Sequence, residues 1–230
     1  MYLNNYFIII MNIDKIYIIN LKHRTDRKHH MINELARNNI TNYEFFEAIR
    51  PDISDIITWN NNFCKHVSNS FSSKLKFVNY QIGCLGCLKS HVEVCRLALK
   101  NNYKNILILE DDTEFIKNLD DLKSFSSQIN NNFDMLYLCG SHLGDKKLIS
   151  KNIIKVKGTH TTGSYLITEN VMKFLIENIN SYPKEIDVFY AEKIQTKFNC
   201  YCTTPHITKQ QDGYSDIQQG NVSYNLKQYI

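Results

Sequence analysis

The sequence has no long apolar run, no dense basic tract and only three prolines in 230 residues. Each shortage removes a class of protein. No stretch approaches the roughly 20 apolar residues that a membrane-spanning helix needs, so no span is expected. The N-terminal MYLNNYFIIIMNIDK holds one short apolar run, with no basic segment before it and no small-residue cleavage site after it, which makes a poor signal peptide. LKQYI at the other end carries no retention signal of the KDEL kind. The net charge of +4 comes from lysines and arginines scattered along the chain, so nucleic acid is not an expected partner and an anionic small ligand suits better. The seven cysteines are odd in number and lack the spacing of a small disulfide scaffold. That pattern predicts free thiols in a soluble, cytoplasmic protein. No internal repeat is visible.

What is present is enough apolar sequence, 43% of residues, for one sizeable core and a single domain over residues 1–230. IYIINL, residues 16–21, is a continuous β-branched and aromatic run, the pattern of a strand buried on both faces. A helix follows, with Met31, Ile32 and Leu35 at helical spacing and Asn38-Asn39 as its stop; residues 43–48 then read as a second strand. This β-α-β order implies a right-handed crossover and an α/β layer fold. Residues 50–79 are polar and weakly periodic, and an irregular insertion is expected there. A helix carrying Val92, Cys95, Leu97, Ala98 and Leu99 leads into a buried strand at 106–109. Further strands are expected at 133–139, 153–156 and 165–167, and helices at 169–177 and 185–197.

The strand at 106–109 opens the stretch ILILEDDTEF, where Glu110, Asp111 and Asp112 stand side by side. At the carboxyl end of a parallel strand the chain emerges into the crevice where α/β proteins bind ligands. Two carboxylates about 5 Å apart repel by roughly 3 kcal/mol at an effective dielectric near 20, and a divalent cation reverses that sign. Hard oxygen ligands suit Mg²⁺ or Mn²⁺, ions that keep open positions for substrate phosphates. The competing reading is an acidic turn that caps a following helix in solvent.

The blocks IYIINLKHRTDR, GCLGCLKSH, LILEDDTEF, FDMLYLCG, SYLITENVMKFL, EIDVF and PHITKQQDGYSDI resemble, in this order, the successive blocks of glycosyltransferase family 25. The family includes bacterial lipooligosaccharide sugar transferases and procollagen galactosyltransferases. The resemblance implies a GT-A fold, Rossmann-like, with a mainly parallel central sheet flanked by helices. It also implies a UDP-sugar donor, a Mn²⁺ (or Mg²⁺) cofactor, and a glycan or protein acceptor, with collagen-like protein among the candidates. Matched to the family's motifs, Glu110 and Asp112 fall on the acid-x-acid metal pair and Asp111 on a donor contact. Asn20, Leu21, Arg24 and Arg27 fall on the first strand-loop block, where they would hold the nucleotide or its phosphates; for the arginines a solvated helix face is the alternative. Ser90 and His91 fall on the block that opens a helix beside the donor, His91 being equally readable as a structural histidine.

Asp187 matches an acidic position near a helix start and is the expected general base of an inverting transfer, against a helix cap as the plain alternative. His206 is the expected third metal ligand, or else a loop histidine. The chain departs from the family pattern at Cys84-Leu85, where relatives carry Glu, and at Val188, where they carry an acid. Two rival readings remain: a sugar-nucleotide-fold protein that has lost turnover, and a zinc protein built on Cys84, Cys87, His91 and the pair Cys200 and Cys202.

Overall fold

The structure is a computed structural model that describes residues 12–130 and 132–224. The N-terminal apolar run up to residue 11 and the terminal LKQYI lie outside these residues. A sheet of eight strands in the order β2-β1-β3-β10-β5-β11-β8-β7 forms the middle layer. Its strands are β1 (Lys15–Asn20), β2 (Tyr43–Glu47), β3 (Asn105–Glu110), β5 (Met135–Tyr137), β7 (Lys146–Ser150), β8 (Ile153–Val156), β10 (Ser164–Thr168) and β11 (Cys200–Thr203). Three small pairs flank it: β4 (Thr113–Phe115) with β12 (Thr208–Gln210), β6 (Ser141–His142) with β9 (Thr159–His160), and β13 (Gly213–Ser215) with β14 (Gly220–Val222).

The α/β class is as expected, but the sheet is mixed where a mainly parallel one was predicted. β1 runs parallel to β2 and β3, and β11 parallel to β5, whereas β10 is antiparallel to both β3 and β5, and β8 is antiparallel to β7 and β11. Strand direction depends on where each connection crosses the sheet, which the strand pattern alone does not encode.

Both faces of the sheet are covered. Tyr17, Ile19, Ile106 and Ile108 point into a core shared with α3 (Lys74–Lys100), α5 (Glu169–Asn178) and α6 (Ile186–Phe189). The alternate residues Ile16, Ile18, Leu107 and Leu109 face a second core with α1 (Thr25–Arg37) and α4 (Asp121–Ser127). Burial on both sides is why these strands read as unbroken apolar runs. α1 is fixed from beneath by a buried carboxylate: Glu34 accepts from Phe115 N at 2.8 Å and from Arg37 Nη2 at 2.6 Å.

The segment expected to be irregular is largely helical. It holds α2 (Ile53–Trp59), a 3₁₀ turn at Lys65–Ser70 and the first turns of α3. Asp52 caps α2 through a reciprocal bond with Asp55, and Ser73 caps α3 by accepting from Lys76 N at 3.2 Å. Polar outer faces hid these helices from the periodicity. The predicted helix at 185–197 is α6 followed by a π-helical turn, Tyr190–Ile194. Among the described residues no helix is long and apolar enough to cross a membrane.

α3 lies tight against the chain leaving β2. A Cβ on Gly86 would come within 2.6 Å of Ile49 O, a backbone atom with little room to move. Gly86→Ala is therefore expected to destabilise the protein by about 2 kcal/mol, read as a fall in Tm of roughly 4–8 °C in a thermal melt.

Candidate active site

β3 carries its apolar residues through the core and releases the chain at Glu110, opposite Ile19 and beside the end of β1. Asn20, the last residue of β1, donates from Nδ2 to Asp111 Oδ2 at 2.8 Å and to Arg24 O at 3.1 Å. Arg27, one turn into α1, donates from Nη1 to Asp111 Oδ1 at 2.7 Å and to Asp112 Oδ2 at 3.3 Å, and from Nη2 to Tyr214 O at 2.9 Å. One guanidinium thus serves two of the acids and the C-terminal tail.

The third acid is held from the other side. Glu110 Oε1 accepts from Thr162 Oγ1 at 2.6 Å and lies 3.1 Å from His91 Nε2. The other ring nitrogen of His91 is 2.7 Å from the Tyr165 hydroxyl, which is in turn 2.9 Å from that of Tyr190. Gln210 Nε2 sits between Glu110 Oε2 and Asp112 Oδ1, 3.3 Å from each. Burial, and next the charge of Glu110, push the Asp112 carboxyl up to about 7. Burial likewise raises Asp111, against the pull of Arg27. Burial would raise Glu110 as well, but its hydrogen bond to His91 and the charge of that ring outweigh it and hold the carboxyl below its ordinary value. Without a cation the negative charge therefore settles on Glu110 while Asp112 tends to keep its proton.

Glu110 and Asp112 are hard oxygen donors of the kind Mg²⁺ and Mn²⁺ take. Two carboxylates bracket a single neutral amide, and the fold leaves the charge of Asp112 undercompensated.

The remaining expected residues divide. Leu21 supplies the carbonyl that accepts from Arg24 N at 2.9 Å in the turn into α1. Arg24 is engaged by Asp216 at 2.6 Å and Asp26 at 2.8 Å, so it ties the tail to the start of α1. Ser90 accepts from Ile49 N at 2.8 Å and donates to Gly86 O at 2.7 Å, a brace within the packing of α3. Asp187 accepts from Val188 N at 2.8 Å and Thr161 N at 3.4 Å and lies 3.6 Å from His160 Nδ1. Burial would raise its carboxyl, but the His160 hydrogen bond and charge bring it below the ordinary value, so it stands as a carboxylate.

His206 is not gathered with the acids. Its ligand nitrogen groups with His142 and Cys202, all within 4.8 Å of one another. The cause is register: β12 pairs with β4 so that Gln210 lies opposite Thr113, next to Asp112. His206 lies four residues before that point, ahead of β12, with its ring beside that of His142. From β12 it is Gln210, not His206, whose side chain reaches the acids. The rival zinc set is dispersed too: Cys87 and His91 group with Glu110, Cys84 with Cys64 and Glu185, and Cys202 with the two histidines.

Gln210 and the hydroxyl of Thr162 are the site residues that sequence reasoning missed as ligands of the acids. Thr162 belongs to a strained segment, since Thr161 before it has φ 84°, a costly region for a β-branched residue. That segment joins the two halves of the site: Thr161 N reaches Asp187 and Thr162 Oγ1 reaches Glu110.

The family model described as "Glycosyltransferase family 25 (LPS biosynthesis protein)" matches residues 13–190. The chain belongs to glycosyltransferase family 25. A Haemophilus influenzae protein provisionally named a glycosyltransferase is 27% identical over 180 residues, covering 75% of this chain and 60% of that protein. A "Procollagen lysyl hydroxylase and glycosyltransferase" of Acanthamoeba polyphaga mimivirus is 26% identical over 222 residues, 86% of this chain and 25% of that protein. The family 25 chain thus spans 60% of the first relative's length and a quarter of the second's. Among solved structures, a glycosyltransferase involved in glycosylating the major capsid of PBCV-1 aligns with 89% of this chain and 95% of its own, at 11% identity and a TM-score of 0.45.

Asp112 gives this family 25 site a pH signature. Its folded carboxyl, at about 7, lies above the unfolded value of 3.8. Its contribution to the stability of the metal-free protein is therefore complete below about pH 4 and lost as pH rises through about 7. Asp112→Asn should flatten that slope and stabilise the metal-free protein at pH 8 by an amount on the order of 2–4 kcal/mol, measured by denaturant unfolding at several pH values. An unchanged slope would show that Asp112 is not the proton carrier.

Proposed function

We propose that the chain is a metal-dependent glycosyltransferase that moves a hexose, galactose or glucose, from a UDP-sugar to a hydroxyl of a glycan or protein acceptor, with inversion at the anomeric carbon. The observation that carries this reading is the pairing of Glu110 and Asp112 about one neutral amide at the end of β3. Glu110 and Asp112 would hold Mn²⁺ or Mg²⁺, and the bound ion would neutralise the donor's diphosphate so that it can leave.

The chain's own groups account for the rest. Asn20 holds Asp111 at the end of β1, a fixed contact on the side where the nucleotide would lie. Arg27 is the guanidinium positioned to exchange a protein carboxylate for a phosphate oxygen. Asp187, a carboxylate anchored by two backbone amides, takes the proton of the acceptor hydroxyl as that oxygen attacks the anomeric carbon and the bond to diphosphate breaks. His160 beside it keeps the carboxylate oriented. The strained segment through Thr161 and Thr162 sets the distance between base and acid cluster. A protein acceptor is favoured by the collagen-directed name of the mimiviral relative.

A second reading, a binding module of the same fold without turnover, draws on Arg24, whose guanidinium is taken up by Asp26 and Asp216. A panel of UDP-sugars separates the two. Mn²⁺-dependent release of UDP from at least one of them, abolished by a chelator, is expected. Asp187→Asn should keep donor binding and lower transfer by about 10²–10⁴-fold. No UDP release and no Mn²⁺-dependent UDP binding would leave only the binding module, and normal transfer by Asp187→Asn would remove that residue as base.

A further inference from the structure

We propose that Cys64, Cys84, Glu185 and His66 form a zinc site that pins the helical insertion after β2 to α3 and to the turn before α6. The ligand atoms of Cys64, Cys84 and Glu185 all lie within 4.8 Å of one another. Tetrahedral zinc with Zn–S bonds of about 2.3 Å sets its two sulfurs ~3.8 Å apart, so a small contraction about an ion completes the geometry. His66 Nε2 is 3.3 Å from Glu185 Oε2, at the edge of the three-residue cluster, and a shift of its half-exposed side chain toward the two sulfurs would supply the fourth ligand. The other carboxylate oxygen is held by the Tyr80 hydroxyl at 2.8 Å, an outer partner that orients the first oxygen toward the ligand cluster.

The three segments meet at the edge of the core, where the insertion contributes few buried residues. Between residues 52 and 73 only Ile56, Phe63 and Cys64 are buried. Cys64 sits at φ 55°, the left-handed region that costs a non-glycine residue of order 1–3 kcal/mol, and its amide donates to Pro183 O at 2.7 Å. Strain of that kind persists where the surroundings over-determine it, and a metal bond to the thiolate would do so. Cys84 and Cys64 are 5% and 0% exposed, while His66 stays partly open and offers a route of entry. A disulfide would use the two sulfurs and leave the carboxylate and imidazole without a role; a cation uses all four. Binding would deprotonate both thiols and release those protons to solvent, with no change of oxidation state. The site would also fix the turn that carries Asp187, two residues beyond Glu185, and it stands whether or not the chain turns over sugar.

The test uses the full chain purified without chelator. About one zinc per chain that survives dialysis is expected by elemental mass spectrometry. Cobalt exchanged into the wild type should show sulfur-to-metal charge-transfer absorption. Zinc content should fall at least tenfold in Cys64→Ser and in Cys84→Ser, fall less in His66→Gln, and remain in Cys87→Ser and Asp112→Asn. Should the serine variants fail to fold, the wild type decides alone: chelation should lower Tm, and zinc but not Mn²⁺ should restore it. Any of three results overturns the site: no retained zinc with no cobalt–sulfur band, loss of zinc in Cys87→Ser, or a Cys64–Cys84 disulfide in metal-free protein. Retained zinc with no UDP release in any donor assay would defeat the transferase reading and leave this one standing.

Discussion

Like-charge repulsion among Glu110, Asp111 and Asp112 is the constraint around which the surrounding elements are placed. Unrelieved, a pair of neighbouring carboxylates costs roughly 3 kcal/mol, a sizeable part of a domain's narrow margin of stability. Relief arrives from five places in the chain: Asn20 from β1, Arg27 from α1, His91 from α3, Thr162 from the loop before β10 and Gln210 from β12. It is distributed unevenly. Glu110 receives an imidazole and a hydroxyl and keeps its charge, while Asp112 receives one shared amide and a long contact to Arg27 and holds its proton. A site so biased leaves Asp112 the acid most ready to keep a proton.

The mixed topology makes that convergence geometrically achievable. Because β10 returns antiparallel beside β3, Gly163 at its start faces the acids: its carbonyl accepts from Glu110 N and from Thr113 Oγ1, both at 2.8 Å. A Cβ on Gly163 would come within 2.7 Å of the Gln210 side chain, so the glycine leaves room for the amide that bridges the two acids. The tail then closes over the cluster, with Asp216 on Arg24 and the Tyr214 carbonyl on Arg27. Arg24 and Arg27 thus join the start of α1 to the DGYSD segment.

Much of the fold was legible because burial leaves a direct mark on composition. The runs at 16–21 and 106–109 are apolar at every position since helices cover both faces of the sheet, and the helix of Met31 and Leu35 shows its buried stripe. Residues 50–79 were illegible for the opposite reason: α2 and the first turns of α3 bury so few residues that no period stands out, and their stability rests on caps and tertiary ties. Parallel and antiparallel neighbours leave the same apolar run, so the direction of β10 was invisible.

The candidate site follows the same division. Residue chemistry by itself determined that Glu110, Asp111 and Asp112 emerge together at a strand end and that a basic, hydrogen-bonding loop begins at Asn20, because both facts are local in the chain. Only the tertiary structure decided which distant groups meet them. Gln210 rather than His206 reaches the acids because the β4–β12 register places it there, and Cys84 joins Cys64 and Glu185 rather than Cys87 because neighbouring cysteines on α3 face different partners. Register and helix facing are properties of packed neighbours, and a single sequence carries no direct record of either.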